Sequence, residues 1–327
     1  MKTLLHASLL ALGLAAAGAA SAMTITDDLG QRVEVPHPAQ LIADAWYTHH
    51  SLLMTLGSGN CIVVAVNHPQ DWPRMFQVQS SLRQALQAHG VDAIFVPAGD
   101  PDAVSYRQAA IPTLSMQFTT FDAMQRSLLA TAQVVDTAAA QRRAAAYNRY
   151  LEMQIAAVTA KTAALTSAQR PRVLHIQSLH PLKIDGSATL IDRWIRLAGG
   201  QNAAAQVTGN MKEVSPEQVI AWDPDVIILG AGAGSLARSD YAALFSGLKA
   251  VRQHRVLQNL SGVFPWDRYG TEAAQQIQWA AKQLHPELFP QLDMVKATQR
   301  FYQSFFDYPL RPDEARRIIA ALPPISG

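Results

Sequence analysis

Several aromatic, histidine and arginine residues lie in a few short segments that follow runs of apolar residues. Three such segments span residues 44–50, 67–72 and 263–270. Aromatic rings with polar edges suit an organic chelate or a large ring, and a histidine can ligate a transition metal. An arginine presents a planar charged fork that matches carboxylates, catecholates and oxyanions. These residue types are therefore candidates for contacts with a small molecule, and the histidines for contact with a metal.

The first segment offers both ring surface and candidate metal ligands. Trp46 and Tyr47 supply the rings, and His49 and His50 follow them. Neighbouring residues on a helix diverge by about 100°, so at most one of the two histidines is expected to face the ligand. The alternative is that both histidines cap or begin the helix that ends near Leu56.

The last of the three segments offers a permanent charge. Trp266 and Tyr269 flank Arg268, and Gly270 lets the backbone turn into the next helix. We expect Arg268 to contact an anionic part of the ligand. The alternative is a buried pair of Asp267 with Arg268 that braces the loop.

Three further residues complete the predicted site, each with a structural alternative. His68 lies in a Pro-containing segment that can be a surface turn, and Lys212 can be fully solvated. Gln117 follows an apolar run, but its neighbour Phe118 can fill the core. The predicted ligand-binding set is Trp46, Tyr47, His49, His50, His68, Gln117, Lys212, Trp266, Arg268 and Tyr269, with His49 or His50 as the only candidate metal ligand.

The elements that must position these residues alternate between strand and helix. Apolar, β-branched runs predict strands at residues 40–44, 61–66, 92–96, 111–116, 172–176, 225–229 and 255–257. Helical segments are predicted at residues 51–56, 80–89, 190–198, 216–222 and 271–284. This alternation predicts an α/β fold with parallel sheets covered on both faces. Ligands of such sheets bind at the carboxyl ends of the strands, where the candidate segments lie.

A different pattern separates the two α/β halves. Residues 137–167 contain neither proline nor glycine and are rich in alanine, which predicts one helix of about 45 Å at 1.5 Å per residue. The Arg170-Pro171 pair closes it. We interpret it as a rigid spine between two Rossmann-like lobes, with a ligand cleft between them; the alternative is a crossover helix in one large domain. The predicted division is 1–22 signal peptide, 23–136 N-terminal lobe, 137–169 inter-lobe helix and 170–327 C-terminal lobe with a helical tail.

The amino terminus has the pattern of an export signal. Lys2 precedes an apolar stretch over residues 4–19, and Ala20-Ser21-Ala22 predicts cleavage after about Ala22. No cysteine stands directly after that position, where Met23 is found, so a lipoprotein is not expected, and we expect a periplasmic protein without membrane insertion. The 27 basic and 25 acidic residues are nearly balanced, which gives no reason to expect a nucleic-acid partner. Cys61 is the single cysteine, so no intramolecular disulfide can form.

Four segments in order resemble one family, the helical-backbone (class III) periplasmic binding proteins of ABC importers for iron-siderophores, haem and vitamin B12. Residues 23–36 resemble its opening β-hairpin, and residues 181–202 resemble a loop that leads into a helix ending in Ala-Gly-Gly. In residues 214–229 a serine caps a helix that begins with Pro216 and stops at Asp223-Pro224 before a strand. The fourth segment spans residues 263–289.

The resemblance implies a function and its partners. It implies a monomeric capture subunit, without an intrinsic cofactor, that delivers its ligand to an ABC permease and, through it, to the ATPase. In relatives one glutamate from each lobe docks on the permease; Glu217 matches the second-lobe position. In the first lobe Gln84 stands where the glutamate is expected, so docking is asymmetric or Asp71 or another acid substitutes. As a first-turn acid, Glu217 is also favoured by the helix dipole.

Two kinds of alternative remain for the function. The chain has no Gly-x-Ser-x-Gly, His-Glu-x-x-His or Walker A motif, which argues against an enzyme, although a periplasmic hydrolase is the alternative of another class. The glycine-rich residues 230–235 follow a strand but do not open onto a clear helix, as a nucleotide site requires. Among ligands, a ferric siderophore-like chelate is expected first; vitamin B12, haem, a nickel or cobalt chelate, and molybdate or tungstate are the alternatives.

Overall fold

A computed structural model of the chain describes residues 22–65 and 90–323. Most of the predicted signal peptide, the predicted helix at 80–89, and the candidates His68, Asp71 and Gln84 lie outside the described residues. None of the described helices is both long and apolar enough to cross a membrane.

Strands and helices alternate through both halves, as the apolar runs predict. The strands are β1 Met23–Thr26, β2 Arg32–Val35, β3 Ile42–Asp44, β4 Ile62–Ala65, β5 Ala93–Pro97, β6 Thr113–Met116, β7 Arg172–Leu179, β8 Leu182–Ile184, β9 Gln201–Asn202, β10 Lys212–Glu213, β11 Val226–Leu229 and β12 Val256–Gln258. The helices are α1 Tyr47–Thr55, α2 Ala103–Gln108, α3 Phe121–Val135, α4 Ala138–Thr162, α5 Leu190–Leu197, α6 Pro216–Trp222, α7 Lys249–Arg252, α8 Ala273–Leu284, α9 Met294–Phe305 and α10 Pro312–Ile319.

Each half of the chain builds its own sheet. The first sheet has the order β4-β3-β5-β6 and is parallel throughout. The second has the order β10-β8-β7-β11-β12, with β9 beside β7; β7, β11 and β12 are parallel, whereas β8 runs antiparallel to β7 and β10. The predicted α/β class with parallel sheets is confirmed. The antiparallel β8 was not predicted, because it is only three residues long and follows β7 through a tight turn.

The predicted hairpin at the start of the described chain is confirmed. Strands β1 and β2 pair antiparallel, and the Asp27 carboxylate closes the turn by accepting hydrogen bonds from the backbone N–H groups of Leu29 and Gln31. The other oxygen of the same carboxylate accepts from the amide of Ser115, in β6. The hairpin is therefore fastened to the first sheet through one buried side chain.

The spine is one uninterrupted helix, α4, of 25 residues, or about 38 Å. Thr137 caps its first turn, as the side chain accepts from the Ala140 amide. It ends at Thr162, five residues earlier than predicted. Arg170 explains the early end: its guanidinium donates to the carbonyl oxygens of Thr162 and Leu165 and so replaces the next helical turn.

The spine and both sheets share one apolar core. A single cluster of buried side chains includes Leu114 and Phe118 from the first half, Tyr147 and Leu151 from α4, and Trp194 from the second half. The Tyr147 hydroxyl also donates to the backbone oxygen of buried Thr271, at 2.7 Å. The core therefore holds the segment before α8 against the middle of the spine.

We expect Tyr147→Phe to lower the free energy of unfolding by about 1–3 kcal/mol, because the buried Thr271 carbonyl loses its donor. Chemical denaturation followed by circular dichroism measures the change. Met153→Ala on the same helix is the control, since that side chain is 58% exposed and its loss should change stability by about 0.5 kcal/mol or less. Equal effects of the two substitutions would contradict the role given to the hydroxyl.

Candidate functional site

The first-lobe aromatic residues stand where β3 passes into α1. Trp46 immediately precedes the helix, and its backbone N–H donates to the carboxylate of Asp44, the last residue of β3. The Trp46 ring packs on Phe118, with 4.7 Å between ring centroids. Phe118 itself is fully buried, so it fills the core, whereas Trp46 keeps part of its surface exposed.

Tyr47 joins this corner to the second-half loop at residues 263–271. Its hydroxyl donates to the Val263 carbonyl at 2.9 Å, and its ring lies 5.3 Å from that of Phe264. Further along α1, the Ser51 hydroxyl oxygen accepts from the Thr271 amide. The predicted aromatic and arginine segments are thus brought side by side, although more than two hundred residues separate them.

His49 lies in the core rather than at the surface. Its side chain is fully buried and stacks on Phe95 at 4.1 Å between centroids. Since the Thr131 hydroxyl donates to Ser127, His49 Nε2 must donate to Thr131, which leaves Nδ1 facing Asp44 Oδ1 at 3.4 Å. Because no ring atom reaches the surface, we leave His49 out of the proposed binding set.

His50 keeps a small accessible surface beside Tyr47. Its side chain is 7% exposed, and Nδ1 lies 3.7 Å from Asp44 Oδ2. Burial lowers the pKa of His50, and the charge of Asp44 only partly opposes this. The helix α1 begins at Tyr47, four residues earlier than predicted, so both histidines lie in its first turns. Within residues 22–65 and 90–323, no group of three or more His, Cys, Asp or Glu side chains is placed to hold a metal ion.

Arg268 lies at the carboxyl edge of the second sheet. Its Nε donates to Gln177 Oε1 at 3.0 Å, and a terminal nitrogen donates to Asp185 Oδ2 at 3.2 Å. The side chain is 13% exposed, so the fork is held in place but not enclosed. The expected alternative, a pair between Asp267 and Arg268, is not what the structure contains.

Asp267 instead binds His175, a residue of β7. His175 is fully buried, with Nδ1 at 2.8 Å from Asp185 and Nε2 at 2.9 Å from Asp267. Burial alone would lower the pKa of His175, but hydrogen bonds to the two carboxylates and their charges raise it to about 9. Both ring nitrogens therefore carry protons at neutral pH. The formal charges of His175, Arg268, Asp185 and Asp267 cancel.

Trp266 is also buried and has a structural role. Its indole N–H donates to Glu272 at 2.9 Å, and the same carboxylate accepts from the Phe264 amide and the Tyr302 hydroxyl. Burial raises the pKa of Glu272 to about 7, although these hydrogen bonds favour the ionised form. Because Trp266 has no exposed surface, we leave it out of the proposed binding set.

The remaining predicted contacts lie at different places on the rim. Tyr269 is partly buried, and its hydroxyl accepts from the Asn210 side chain; burial raises the pKa of Tyr269. Lys212 is exposed on the short strand β10, and its side chain crosses Gly209. Gln117 is exposed after β6, with its backbone N–H bound to Asp28. Tyr47 thus contacts the loop that carries Arg268 and Tyr269, and Trp46 and His50 adjoin Tyr47 at the start of α1, whereas Lys212 and Gln117 are exposed on separate segments.

Glu217 lies at the same edge of the second sheet. Since β10 runs parallel to β7 through the intervening antiparallel β8, α6 begins at the carboxyl edge. Ser215 caps the helix and Pro216 opens it, as predicted, and Gln218 completes a capping box with Ser215. The Glu217 carboxyl is exposed, and hydrogen bonds from its own amide and the Ser215 hydroxyl lower its pKa, so it is ionised at neutral pH.

Sequence reasoning missed His175, Gln177, Asp185 and Glu272. One signal was available for His175, which interrupts the apolar run of β7 and so predicts a polar side chain inside the core. Such a group needs a partner, but its two partners are 10 and 92 residues away.

Three comparisons identify similar proteins. A family model described as periplasmic binding protein matches residues 92–259, just over half of the 327-residue chain. The molybdate-binding protein MolA of Haemophilus influenzae is 28% identical over 136 residues, a stretch that covers 40% of this chain and 38% of MolA.

Solved structures share the whole architecture. A periplasmic solute binding protein from Veillonella parvula superposes with a TM-score of 0.76 at 23% identity, covering 92% of this chain and 97% of that one. MolA bound to molybdate gives a TM-score of 0.77 at 18% identity, with 88% and 98% covered. Helicobacter pylori CeuE with Ni(II) bound gives 0.70 at 16% identity, with 90% and 98% covered. These matches support the two-lobed fold.

The buried histidine predicts how stability depends on pH. The pKa of His175 is about 9 in the folded chain and 6.5 as the reference value, so its stabilisation is complete below pH 6.5 and is lost as the pH rises to about 9. We expect a loss of about 3 kcal/mol across this window. Denaturant unfolding at several pH values measures it. In His175→Asn the slope above pH 7 should be flatter, and an unchanged slope would assign the pH dependence to other groups.

Proposed function

Because the chain belongs to the periplasmic binding protein family, we propose that it is the substrate-binding subunit of an ABC importer. It binds its ligand between the two lobes in the periplasm and delivers it to a permease, and through the permease to an ATPase, without converting it chemically. We also propose that it is a monomer, that its signal peptide is removed after about Ala22, and that the lobes span residues 23–136 and 170–327. Turnover of generic ester or glycoside substrates would contradict this role.

The observation that carries the proposal is the position of Arg268. Its guanidinium is fixed by Gln177 and Asp185 yet remains 13% exposed at the carboxyl edge of the second sheet. Partly exposed Tyr47 contacts the loop that carries Arg268 at Val263 and Phe264, and partly exposed Trp46 precedes Tyr47 in the chain. An anionic ligand with flat surfaces satisfies both halves of this region, since the arginine fork binds oxygens and the rings cover apolar surface.

A ferric siderophore-like chelate is the ligand that we propose first. It carries its own metal ligands, leaves negative oxygens for Arg268, and offers organic surface to Trp46 and Tyr47. Of the two candidate histidines that the structure describes, His50 keeps some accessible surface, so it is the protein group that we propose for an open metal position. Its lowered pKa keeps the ring neutral at pH 7, which is the form that ligates metals.

Molybdate is the second candidate, and a specific observation favours it. The curated relative MolA is a molybdate-binding protein, and its solved structure holds molybdate in the same fold. A small oxyanion needs directed donors more than ring surface, so the two candidates use Arg268 in common but differ in their dependence on Trp46 and Tyr47. Native mass spectrometry with elemental analysis of protein purified from its own periplasm identifies the copurifying element. A chain that carries no metal complex or oxyanion would contradict the proposal.

We expect Arg268→Ala to weaken binding of an anionic complex by about 2–5 kcal/mol, because it removes a partly desolvated charge. Arg268→Lys keeps the charge but loses the planar fork, so its affinity should lie between those of wild type and Arg268→Ala. Isothermal titration of both variants with the copurifying ligand measures the change, with thermal unfolding as the check on folding. Unchanged affinity in Arg268→Ala would leave Arg268 with a purely structural role.

Delivery requires a surface that the permease can recognise. We propose Glu217 as the second-lobe docking residue, because its exposed, ionised carboxylate stands at the carboxyl edge of the sheet beside the ligand region. We propose that the first-lobe docking residue is an acid at another position, because the position expected from the resemblance holds Gln84.

We expect Glu217→Lys to abolish ligand uptake by cells while leaving affinity in solution unchanged, because the carboxylate lies outside the binding region. Glu213→Lys makes the same change of charge on neighbouring exposed strand β10 and should leave uptake near normal. Uptake of radiolabelled or metal-quantified ligand measures both. Normal uptake with Glu217→Lys would remove the docking role.

A further inference from the structure

The glycine-rich segment 230–235 emerges from the centre of the second sheet. It follows β11, which lies between β7 and β12. The Gly230 amide donates to the Ile176 carbonyl, and Leu229 is in register with Ile176, so Gly230 is level with Gln177 of β7. The segment therefore begins beside the residue that holds Arg268.

The direction of two backbone amides follows from their neighbouring carbonyls. The side-chain amide of Gln258, the last residue of β12, donates to the carbonyl oxygens of Gly230 and Ala231 at 2.7 and 3.4 Å. In a trans peptide the C=O and the following N–H point in opposite directions. The Gly230 carbonyl also accepts from the Ala233 amide, so residues 230–233 form a turn in which the N–H groups of Ala231 and Gly232 point away from the Gln258 side chain. Neither finds an acceptor among residues 22–65 and 90–323.

Gln177 connects these amides to Arg268. Its Oε1 accepts from Arg268 Nε at 3.0 Å. A Cβ at position 230 would lie only 2.8 Å from the same oxygen, so a side chain there would displace the Gln177 amide from its present position. Because Oε1 is occupied, the Gln177 NH2 group is the part left to donate. It has no acceptor in the described part of the chain.

Charge alone does not make this region attractive to anions. The positive charges of Arg268 and His175 are offset by Asp185 and Asp267, which they contact at 2.8 to 3.2 Å. Selectivity must then come from directed donors, as it does where successive backbone N–H groups form an anion-binding concavity. The 3₁₀ turn Leu236–Arg238 follows the segment in place of an α-helix, which distinguishes it from a nucleotide phosphate loop.

We propose that Gln177, Arg268 and the backbone amides of Ala231 and Gly232 form one subsite that binds a cluster of negatively charged oxygens. This inference rests on the proposed function and specifies the ligand chemistry of the second lobe. The oxygens belong either to a free oxometallate or to the oxygen-rich edge of a metal chelate. In both cases the amides and the glutamine add neutral donors to the single arginine fork.

The test compares substitutions at two positions with sodium molybdate and a ferric tris-catecholate as separate probes. Gly232→Pro removes one N–H, whereas Gly232→Ala keeps it and places a methyl group in open space, because nothing lies within 4 Å of that Cβ. Gln177→Glu keeps the acceptor for Arg268 and replaces the donor with an anionic oxygen. Isothermal titration at fixed pH and salt gives the affinities, and thermal unfolding shows which variants are folded.

We expect Gly232→Pro to weaken binding about tenfold relative to Gly232→Ala, the value of one hydrogen bond to a charged group, and Gln177→Glu to weaken it at least as much. The probe that wild type binds identifies the source of the oxygens. Equal affinity of Gly232→Pro and Gly232→Ala together with unchanged binding by Gln177→Glu would overturn the subsite. Failure of wild type to bind either probe would also overturn it, whereas the proposed function would still be decided by the copurifying ligand.

Discussion

The attachment of residues 263–271 to the first half of the chain is the constraint on which the site depends. This segment follows the last strand of the second sheet, yet Tyr47 and Ser51 of α1 bind its two ends, and Tyr147 of the spine binds the second end again. The buried Glu272 carboxylate accepts hydrogen bonds from the Phe264 amide, the Trp266 indole and the Tyr302 hydroxyl. Arg268 therefore stands on a loop that both lobes fix. Closing the lobes by a large hinge would break these bonds, so the geometry is set before the ligand arrives.

A second consequence concerns charge. His175 needs both ring protons to satisfy two buried carboxylates, and this keeps Asp185 ionised as the anchor of Arg268. Burying a carboxylate without a partner is costly, so the histidine is what allows a fixed acceptor to lie beneath the fork. The two carboxylates cancel the positive charges of His175 and Arg268, and Asp185 helps to fix the orientation of the Arg268 guanidinium. This arrangement suits recognition by geometry, because a charge-balanced fork attracts an anion only where its hydrogen bonds fit.

The sequence predicts most of the local structure and little of the long-range pairing. The strand runs, the hairpin, the Ser215–Pro216 helix start and the unbroken spine all follow from local chemistry, namely periodicity, capping and the absence of proline and glycine. The early start of helix α1 was not predicted, because Trp46 and Tyr47 have little helical signal of their own. Packing against Phe118 and Phe264 holds them in place instead. His175, with one partner 92 residues away, and Glu272, with a partner 30 residues away, have no local pattern that could reveal their partners.

This division explains which candidate residues remain in the proposed ligand region. His49 and Trp266 have side chains well suited to binding, yet each lies within two positions of a residue with more accessible surface, and helix and loop geometry turn them inward to Thr131 and Glu272. Arg268 and Tyr269 keep exposed surface, and His50 keeps a little, because successive side chains of a helix or loop point in different directions. The residue types indicate which segments could contact a ligand. The packing of each element against the core then decides which residues of the segment stay accessible. The proposed binding residues and the bracing residues therefore lie in the same short segments, and a change to a bracing residue should disturb the proposed ligand region through its neighbour.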